Sequence, residues 1–134
     1  MDVLIDTNII LDFILVRQPQ YSSAKAIFKL IADQEIAGYT QASNITDIYY
    51  LTRRQRNDST ARMAVRALLD TFQVIAVDAN DCEQALSLPM ADFEDALIVA
   101  CADKMSLDYI ITNDNKFLSI NLAPTISADD FLKL

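Results

Sequence analysis

The stretch Val3–Asn8, with the sequence VLIDTN, decides the predicted fold of this chain. Three apolar residues lead directly into an acid, a hydroxyl and an amide, and a helical pattern of apolar residues follows at once. This order is typical of a short buried strand that ends in a polar tip. Ligands of open α/β sheets bind outside the carboxyl ends of the strands, so Asp6 is a candidate site residue. The alternative is that Asp6 or Thr7 only caps the helix that follows.

Strand-like and helical segments alternate along the whole chain. This alternation predicts an α/β fold with three layers, α/β/α, around a central, mostly parallel sheet. The length of 134 residues and the lack of a linker or repeat predict a single domain over residues 1–134. The further predicted strands are residues 39–40, 73–77, 107–112 and 125–126, and the predicted helices are residues 8–16, 21–33, 42–54, 60 to about 70, 80–88 and 92–102, with a closing turn at 129–134.

The composition excludes several classes of chemistry. The chain has no histidine, which excludes His-based acid–base catalysis, Ser-His-Asp triads and His-containing zinc sites. Its single glycine, Gly38, excludes the glycine-rich loops that bind phosphates. The net charge of −8 opposes non-specific binding of nucleic acid. A bound divalent cation would reverse that sign locally.

The apolar segments, the N-terminal residues and the cysteines together predict a cytoplasmic protein. No apolar stretch reaches the ~18 residues that a membrane span needs, and no basic segment precedes the first strand as in a signal peptide. Cys82 and Cys101 lie in apolar helical segments and do not form a CxxC pair. We expect both to be free thiols, which suits a reducing compartment.

Four acids stand where the predicted fold can bring them together. Asp6 and Asp114 each follow a predicted strand, and Asp95 lies in the first turn of the most apolar helix. Asp47 lies in the third helix, on the same face as Ser43. Carboxylates that meet within a few ångströms need compensation, and Mg²⁺ held by carboxylates and waters supplies it.

Each of these acids also has an ordinary structural role open to it. Asp92 and Asp95 have the spacing of a helix-capping pair, and Asp114 suits a turn in which its side chain bonds its own backbone. Asp47 suits a solvent-exposed helix position. The metal site is therefore a constellation that depends on the predicted fold.

Four short motifs occur in a fixed order, at residues 3–12 (VLIDTNIILD), 43–50 (SNITDIYY), 92–97 (DFEDAL) and 110–114 (IITND). Together they resemble the PIN domain family of ribonucleases, which includes the VapC-type toxins of bacterial toxin–antitoxin pairs. Residues 17–19 (RQP) also resemble one PIN subgroup. The resemblance covers most of the chain, roughly Val3 to Leu118.

The resemblance implies an endoribonuclease that cleaves single-stranded RNA with Mg²⁺ or Mn²⁺. It implies Asp6, Asp47, Asp95 and Asp114 as catalytic residues, of which Asp6, Asp95 and Asp114 bind the metal. The implied mechanism is in-line attack on a phosphodiester by a metal-activated water. The expected supporting groups are Thr7, Asn8, Ser43 and Thr112.

Two positions depart from the family pattern. The second acid is usually Glu and is here Asp47, which favours a metal contact through water. The family usually places an acid just before the Phe that follows Asp114, and here Lys116 precedes Phe117. The candidates for contacts with RNA are Arg17, Arg53, Arg54 and Lys116. An ordinary solvated side chain is the alternative for Lys116, and stabilisation of a helix C-terminus is the alternative for Arg53 and Arg54.

The resemblance further implies a homodimer, and a small antitoxin whose basic tail enters the acidic cleft. The candidate partner surfaces are the region of the first two helices, with Tyr21 and Phe28, and the pair Tyr49-Tyr50. Core packing is the alternative for most of these residues. Two other functions stay open. One is a catalytically weak or silent PIN-fold module that binds RNA or protein. The other is an Asp-dependent phosphotransfer protein, which lacks here the second acid expected beside Asp6.

Overall fold

A computed structural model describes all 134 residues, Met1–Leu134. Its five strands are β1 (Asp2–Ile5), β2 (Ala37–Gln41), β3 (Gln73–Ile75), β4 (Tyr109–Ile111) and β5 (Thr125–Ile126). They form one sheet in the order β3-β2-β1-β4-β5, and every neighbouring pair is parallel. The predicted α/β class is confirmed, and the sheet is wholly rather than mostly parallel.

Eight helices connect and cover these strands. They are α1 (Thr7–Ile14), α2 (Tyr21–Ala32), α3 (Ala42–Gln55), α4 (Asp58–Thr71), α5 (Ala79–Ser87), α6 (Phe93–Lys104), α7 (Asn115–Leu118) and α8 (Ala128–Phe131). None of them combines the length and the apolar character needed to cross a lipid bilayer.

The central strand β1 separates the two apolar layers, because successive side chains of a strand point to opposite faces. Val3 and Ile5 pack in a core that α1, α2, α3, α4 and α8 complete. Leu4 packs on the other face with residues of α6 and with Phe117 of α7. Helix α5 packs against α6 through Ala85. These two faces give the three layers that the alternation of elements predicts.

The bounds of three strands differ from the sequence prediction, since β2 covers Ala37–Gln41 against a predicted 39–40, β3 ends at Ile75 against 77, and β4 covers only Tyr109–Ile111 against 107–112. Two helices differ in ways that have a local cause. Helix α1 ends at Ile14, two residues early, because Val16 adopts a left-handed conformation (φ 53°). The Arg17 N–H then donates to the Asp12 carbonyl oxygen at 3.0 Å, which closes the end of the helix. The four-residue helix α7 is not predicted, since one turn is too short to show a periodic pattern.

The strand order places a crevice at the carboxyl ends of β1 and β4. The sheet grows from β1 towards β2 and β3 on one side and towards β4 and β5 on the other. Ligands of open parallel sheets bind at such a reversal of strand order. The Asp6 N–H donates to the Ile111 carbonyl oxygen at 2.9 Å, so Asp6 and Thr112 follow their strands side by side at this point.

Candidate active site

Asp6 stands at the base of the site with both carboxylate oxygens engaged. Its side chain is only 7% exposed. Oδ1 accepts a hydrogen bond from the Thr7 N–H at 2.7 Å, and Oδ2 accepts one from Thr112 Oγ1 at 2.7 Å. Asp6 is also the N-cap residue of α1. The capping role is therefore confirmed, and it coexists with a carboxylate held in a fixed orientation at the strand end.

Asp114 is linked to Asp6 through the fully buried Thr112. The Asp114 N–H donates to Thr112 Oγ1 at 3.1 Å, and this same hydroxyl donates to Asp6. Asp114 Oδ1 accepts from the Lys116 N–H at 2.9 Å, which is the local turn expected from the sequence. One hydroxyl thus joins the loop after β4 to the acid after β1.

The first turn of α6 brings three more acids to the same edge of the sheet. Asp92 is the N-cap residue, and its Oδ1 accepts from the Asp95 N–H at 3.1 Å. The capping relation between these two acids is confirmed. Glu94 and Asp95 follow inside the first turn, where the positive end of the helix dipole favours negative charge.

An acidic cleft of about 370 Å³ opens between α3 and α6, with Asp6 and Thr7 at its base. Three of the four predicted acids, Asp6, Asp47 and Asp95, line it together. Asp114 does not line the cleft. It is connected to Asp6 in the cleft through Thr112, whose hydroxyl is hydrogen-bonded to both residues. The full lining is Asp6, Thr7, Asn44, Asp47, Tyr50, Leu51, Arg54, Glu94, Asp95 and Ile98.

Three acids of the cleft, Asp6, Glu94 and Asp95, have pKa values above those of isolated carboxyl groups. Burial, with the negative charges of Asp92, Asp6 and Asp114, raises the pKa of Asp95 to about 7. Burial raises the pKa of Asp6 more than its two hydrogen bonds lower it, and Asp114 and Asp92 raise it further. Burial and the charge of Asp47 raise the pKa of Glu94. The cleft therefore favours a species that neutralises carboxylates, whether a proton or a cation.

The donor chemistry of the cleft fits a hard divalent cation. No three His, Cys, Asp or Glu side chains converge closely enough to hold a metal ion in the arrangement seen. Mg²⁺, however, needs only one or two carboxylates and keeps several waters. Asp6 and Asp95, which both line the cleft, are the carboxylates that could hold such an ion.

Comparison with known proteins identifies the family. A family model described as PIN domain matches residues 2–116. The chain belongs to the PIN domain family. The matched region contains all the acids described above. No curated protein sequence matches the chain significantly.

Solved structures show the same fold as this PIN domain. VapC20 from Mycobacterium tuberculosis, a Sarcin-Ricin loop cleaving toxin, matches with a TM-score of 0.71 and 19% identity over 87% of this chain and 93% of its own. A chain of VapBC2 from Rickettsia felis, bound to a DNA fragment from its promoter, matches with a TM-score of 0.70 and 16% identity. The match covers 95% of this chain and 98% of the other. A chain of a toxin–antitoxin complex from Klebsiella pneumoniae matches with a TM-score of 0.68 and 22% identity. The match covers 94% of this chain and 97% of the other.

Several predicted site residues of this PIN domain lie outside the cleft lining. Arg17 is engaged elsewhere, because its Nε pairs with Asp12 Oδ1 at 3.0 Å and its Nη2 donates to the Asn8 carbonyl oxygen at 3.2 Å. Ser43 Oγ accepts from Gln41 Nε2 at 2.9 Å at the start of α3. The predicted residues that do not line the cleft are Asn8, Arg17, Ser43, Arg53, Thr112, Asp114 and Lys116.

The cleft also contains two polar residues that the sequence analysis did not select, Asn44 and Glu94. Asn44 lies three residues before Asp47, so helical spacing from Asp47 is the signal that finds it. Glu94 immediately precedes Asp95, and no local pattern distinguishes it from a solvated acid at a helix start. Its position across the cleft from Asp47 is visible only in the structure.

Proposed function

We propose that this PIN domain is a metal-dependent endoribonuclease that cleaves single-stranded RNA in the cytoplasm. The observation that carries the proposal is the orientation of Asp6, whose carboxylate is held on both oxygens at the base of a cleft lined by Asp47, Glu94 and Asp95. The raised pKa values of Asp6, Glu94 and Asp95 support it, because they indicate negative charge that the protein itself leaves uncompensated. Membership of the PIN family supports the nuclease class.

Each acid has a defined part in this proposal. Asp6 and Asp95 would hold Mg²⁺ or Mn²⁺ directly. Asp114 would be a third ligand only after its side chain moves towards the cleft, because no three acids converge closely enough in the arrangement seen. Asp47, exposed on α3, would contact such an ion through water because its side chain is short. A bound divalent cation supplies a water of lowered pKa and stabilises negative charge on the phosphate. Thr112 and the Thr7 N–H keep the Asp6 carboxylate in one orientation.

Cleavage of a mixed pool of single-stranded RNA tests the proposal. The purified chain is expected to cut RNA with Mg²⁺ or Mn²⁺ and to stop when chelator is added. Asp6→Asn and Asp95→Asn are expected to lower the rate at least about 100-fold, since charge stabilisation by a metal ion is worth several kcal/mol. Asp103→Asn is the matched control, because Asp103 is an exposed acid of α6 outside this cleft.

Two results would contradict the proposal. If Asp6→Asn and Asp95→Asn cleave RNA as fast as the parent, the assignment of the active site to this cleft is wrong. A parent chain that cuts no RNA in the pool, and whose melting temperature is the same with and without Mg²⁺ or Mn²⁺, would favour the silent binding module instead, because a ligand that binds the folded state must stabilise it.

We also propose that the chain binds a small antitoxin protein and that it forms a homodimer. Light scattering would measure the mass of that homodimer. Similar chains are found in toxin–antitoxin complexes. An apolar groove of about 650 Å³ between α1, α2 and α4 supports a partner, and it includes Phe28 from the region expected to bind one. Met63 lies in this groove with its side chain 70% exposed.

Co-expression with the product of a short reading frame adjoining the gene tests the partner. Met63→Asp is expected to abolish co-purification, because a charge in the groove must lose its hydration on binding. Leu86→Asp, at an equally exposed apolar residue outside the groove (72%), is the control and is expected to bind normally. Normal binding by Met63→Asp would exclude this groove.

A further inference from the structure

One face of α3 runs from the acidic cleft to the protein surface and changes chemistry along the way. Side chains three or four residues apart lie on the same face of a helix. From the cleft outwards this face carries a carboxamide, a carboxylate, an aromatic ring and a guanidinium, on Asn44, Asp47, Tyr50 and Arg54, all of which line the cleft. At 1.5 Å per residue, the interval from Asp47 to Arg54 is about 10 Å along the axis.

Arg54 is the one basic side chain among the residues that line the cleft. It makes no ion pair and no hydrogen bond, whereas Arg17, Arg62 and Arg66 are each paired with an aspartate. Arg56 is also engaged, through a hydrogen bond from Nη2 to the Leu15 carbonyl oxygen at 3.1 Å. Arg54 therefore offers a free guanidinium at an otherwise acidic opening.

Tyr50 presents an exposed aromatic ring one helical turn before Arg54. The side chain is 56% exposed. The Tyr49 ring packs edge-on against it, with centroids 5.1 Å apart and an interplanar angle of 88°. The Tyr49 hydroxyl donates in turn to Asp58, which anchors that ring. An anchored neighbour limits the rotamers of Tyr50, so less side-chain entropy is lost when a planar ligand stacks on it.

Asn44 adds a buried hydrogen-bond donor without a partner to this face. The residue is only 6% exposed, and its amide nitrogen is one of five buried side-chain polar atoms without a hydrogen-bond partner. A buried donor without an acceptor costs about 1–3 kcal/mol, so native proteins rarely leave one unpaired without a functional reason. The nitrogen is covered in the free protein, so a ligand oxygen reaches it only if the side chain moves towards the cleft.

We infer that this face of α3 is a subsite for the RNA segment next to the cleaved bond. Asn44 donates to a phosphate oxygen, Tyr50 stacks on a base and Arg54 pairs with a neighbouring phosphate. Single-stranded nucleic acids are bound in this way, by cations that follow the backbone and aromatic rings that stack on bases. The inference rests on the proposed nuclease function and assigns the RNA contact to Arg54 rather than to Arg53, which does not line the cleft.

Binding of a fluorescently labelled pool of 20-nucleotide single-stranded RNA tests the subsite. Fluorescence anisotropy is measured in the Asp95→Asn background, in which cleavage is expected to be at least about 100-fold slower, so that little RNA is consumed during the measurement. Tyr50→Ala is expected to weaken binding roughly 5- to 100-fold, and Tyr50→Phe, which keeps the ring, to bind within about twofold of Tyr50. Thermal melting of each variant verifies that it is folded.

A salt titration separates Arg54 from Arg53. Arg54→Ala is expected to reduce the slope of log affinity against log salt by about 0.7, the change for one lost contact with a single-strand phosphate. Arg53→Ala removes the same charge from the next residue of the same helix and is expected to leave the slope unchanged. An equal change for both variants would show a general charge effect and overturn the subsite.

The result also separates this inference from the proposed function. If Tyr50→Ala and Arg54→Ala bind RNA as tightly as their background while the parent still cuts RNA, the subsite is wrong and the nuclease stands. The exposed face of α3 then belongs to a protein partner. If the parent neither binds nor cuts RNA, the proposed function fails and the subsite fails with it.

Discussion

Thr112 Oγ1 donates a hydrogen bond to Asp6 Oδ2 at 2.7 Å, across 106 residues of sequence and between the ends of adjacent strands. The same oxygen accepts the Asp114 N–H at 3.1 Å. A hydroxyl in this position uses both its donor and its acceptor capacity, so its rotamer is determined. The orientation of the Asp6 carboxylate therefore depends on a residue that does not itself line the cleft.

Replacement of Thr112 by Val tests this dependence. Thr112→Val keeps the shape of the side chain but leaves Asp6 Oδ2 buried without a donor, so metal affinity and cleavage rate are expected to fall about 10- to 100-fold. Metal titration and RNA cleavage measure the two effects. Thr112→Ser, which keeps the hydroxyl, is expected to retain most activity, and a Val variant as active as the parent would show that the contact is dispensable.

The raised pKa of Asp95 makes the metal-free protein less stable as pH rises. Its pKa is about 7 in the folded chain against an ordinary value of 3.8, so between these values the folded state binds more protons than the unfolded state. The free energy of unfolding therefore decreases with increasing pH across this window. Asp95→Asn is expected to be more stable than the parent at pH 8 and nearly equal to it at pH 4.

Urea denaturation in the presence of chelator at pH 4, 6 and 8 measures this effect. Asp103→Asn serves again as the control and is expected to show no such pH-dependent gain, because Asp103 is exposed and lies outside the acidic cleft. A parent whose urea midpoint rises between pH 4 and pH 8 relative to Asp95→Asn would contradict the expected sign.

Divalent cations are expected to stabilise the protein more at pH 8 than at pH 5.5. Protonated carboxyl groups do not bind metal, so the raised pKa values of Asp6 and Asp95 weaken binding at the lower pH. Mg²⁺ at 100 times its dissociation constant adds about 2.7 kcal/mol to the free energy of unfolding. Thermal melting measures the shift, and KCl at equal ionic strength is the control for charge screening.

Gly38 is expected to be intolerant of a methyl group. A Cβ at this position of β2 would lie 2.5 Å from Ile31 Cδ1 and 3.0 Å from its Cγ1, inside the core between α2 and the sheet. Gly38→Ala is expected to lower the free energy of unfolding by about 1–3 kcal/mol, the usual range for overpacking. Urea denaturation measures it.

The double variant Gly38→Ala/Ile31→Val identifies the cause of that loss. Removal of Cδ1 makes room for the new methyl group, so the double variant is expected to lose less stability than the two single variants added together. Simple additivity would show that Ile31 is not the obstacle and that the loss has another origin.

Most of the fold follows from local patterns, because a strand or helix is defined by the residues within it. The apolar run of residues 3–5 predicts β1, and the polar residues after it predict a strand end at Asp6. The bounds of α1 are less predictable. Its end depends on the left-handed Val16 and on a hydrogen bond from Arg17 to Asp12, neither of which apolar periodicity shows.

The residues of the candidate site also divide into those that the sequence selects and those that only the structure reveals. Sequence order and spacing select Asp6, Asp47 and Asp95 as acids, and the structure places all three in one cleft. Asp114 is selected too, but its connection through Thr112 is not visible in the sequence. Glu94 has no local pattern of its own, and the amide of Asn44 gains meaning only from its burial.

The arginines show most clearly that the sequence does not decide which basic side chain faces the cleft. Arg17, Arg53 and Arg54 are equal candidates in the sequence because each is a basic residue near the end of a helix. The structure pairs Arg17 with Asp12 and places only Arg54 on the cleft.

The sequence alone therefore determined the alternation of strands and helices, the excluded chemistries and the set of available acids. Each of these depends on residue type and on neighbours a few positions away. The tertiary structure decided which side chains meet, because the order of the strands brings residues 106 positions apart to 2.7 Å. That order results from the packing of two helical layers on the sheet, which no local segment encodes by itself.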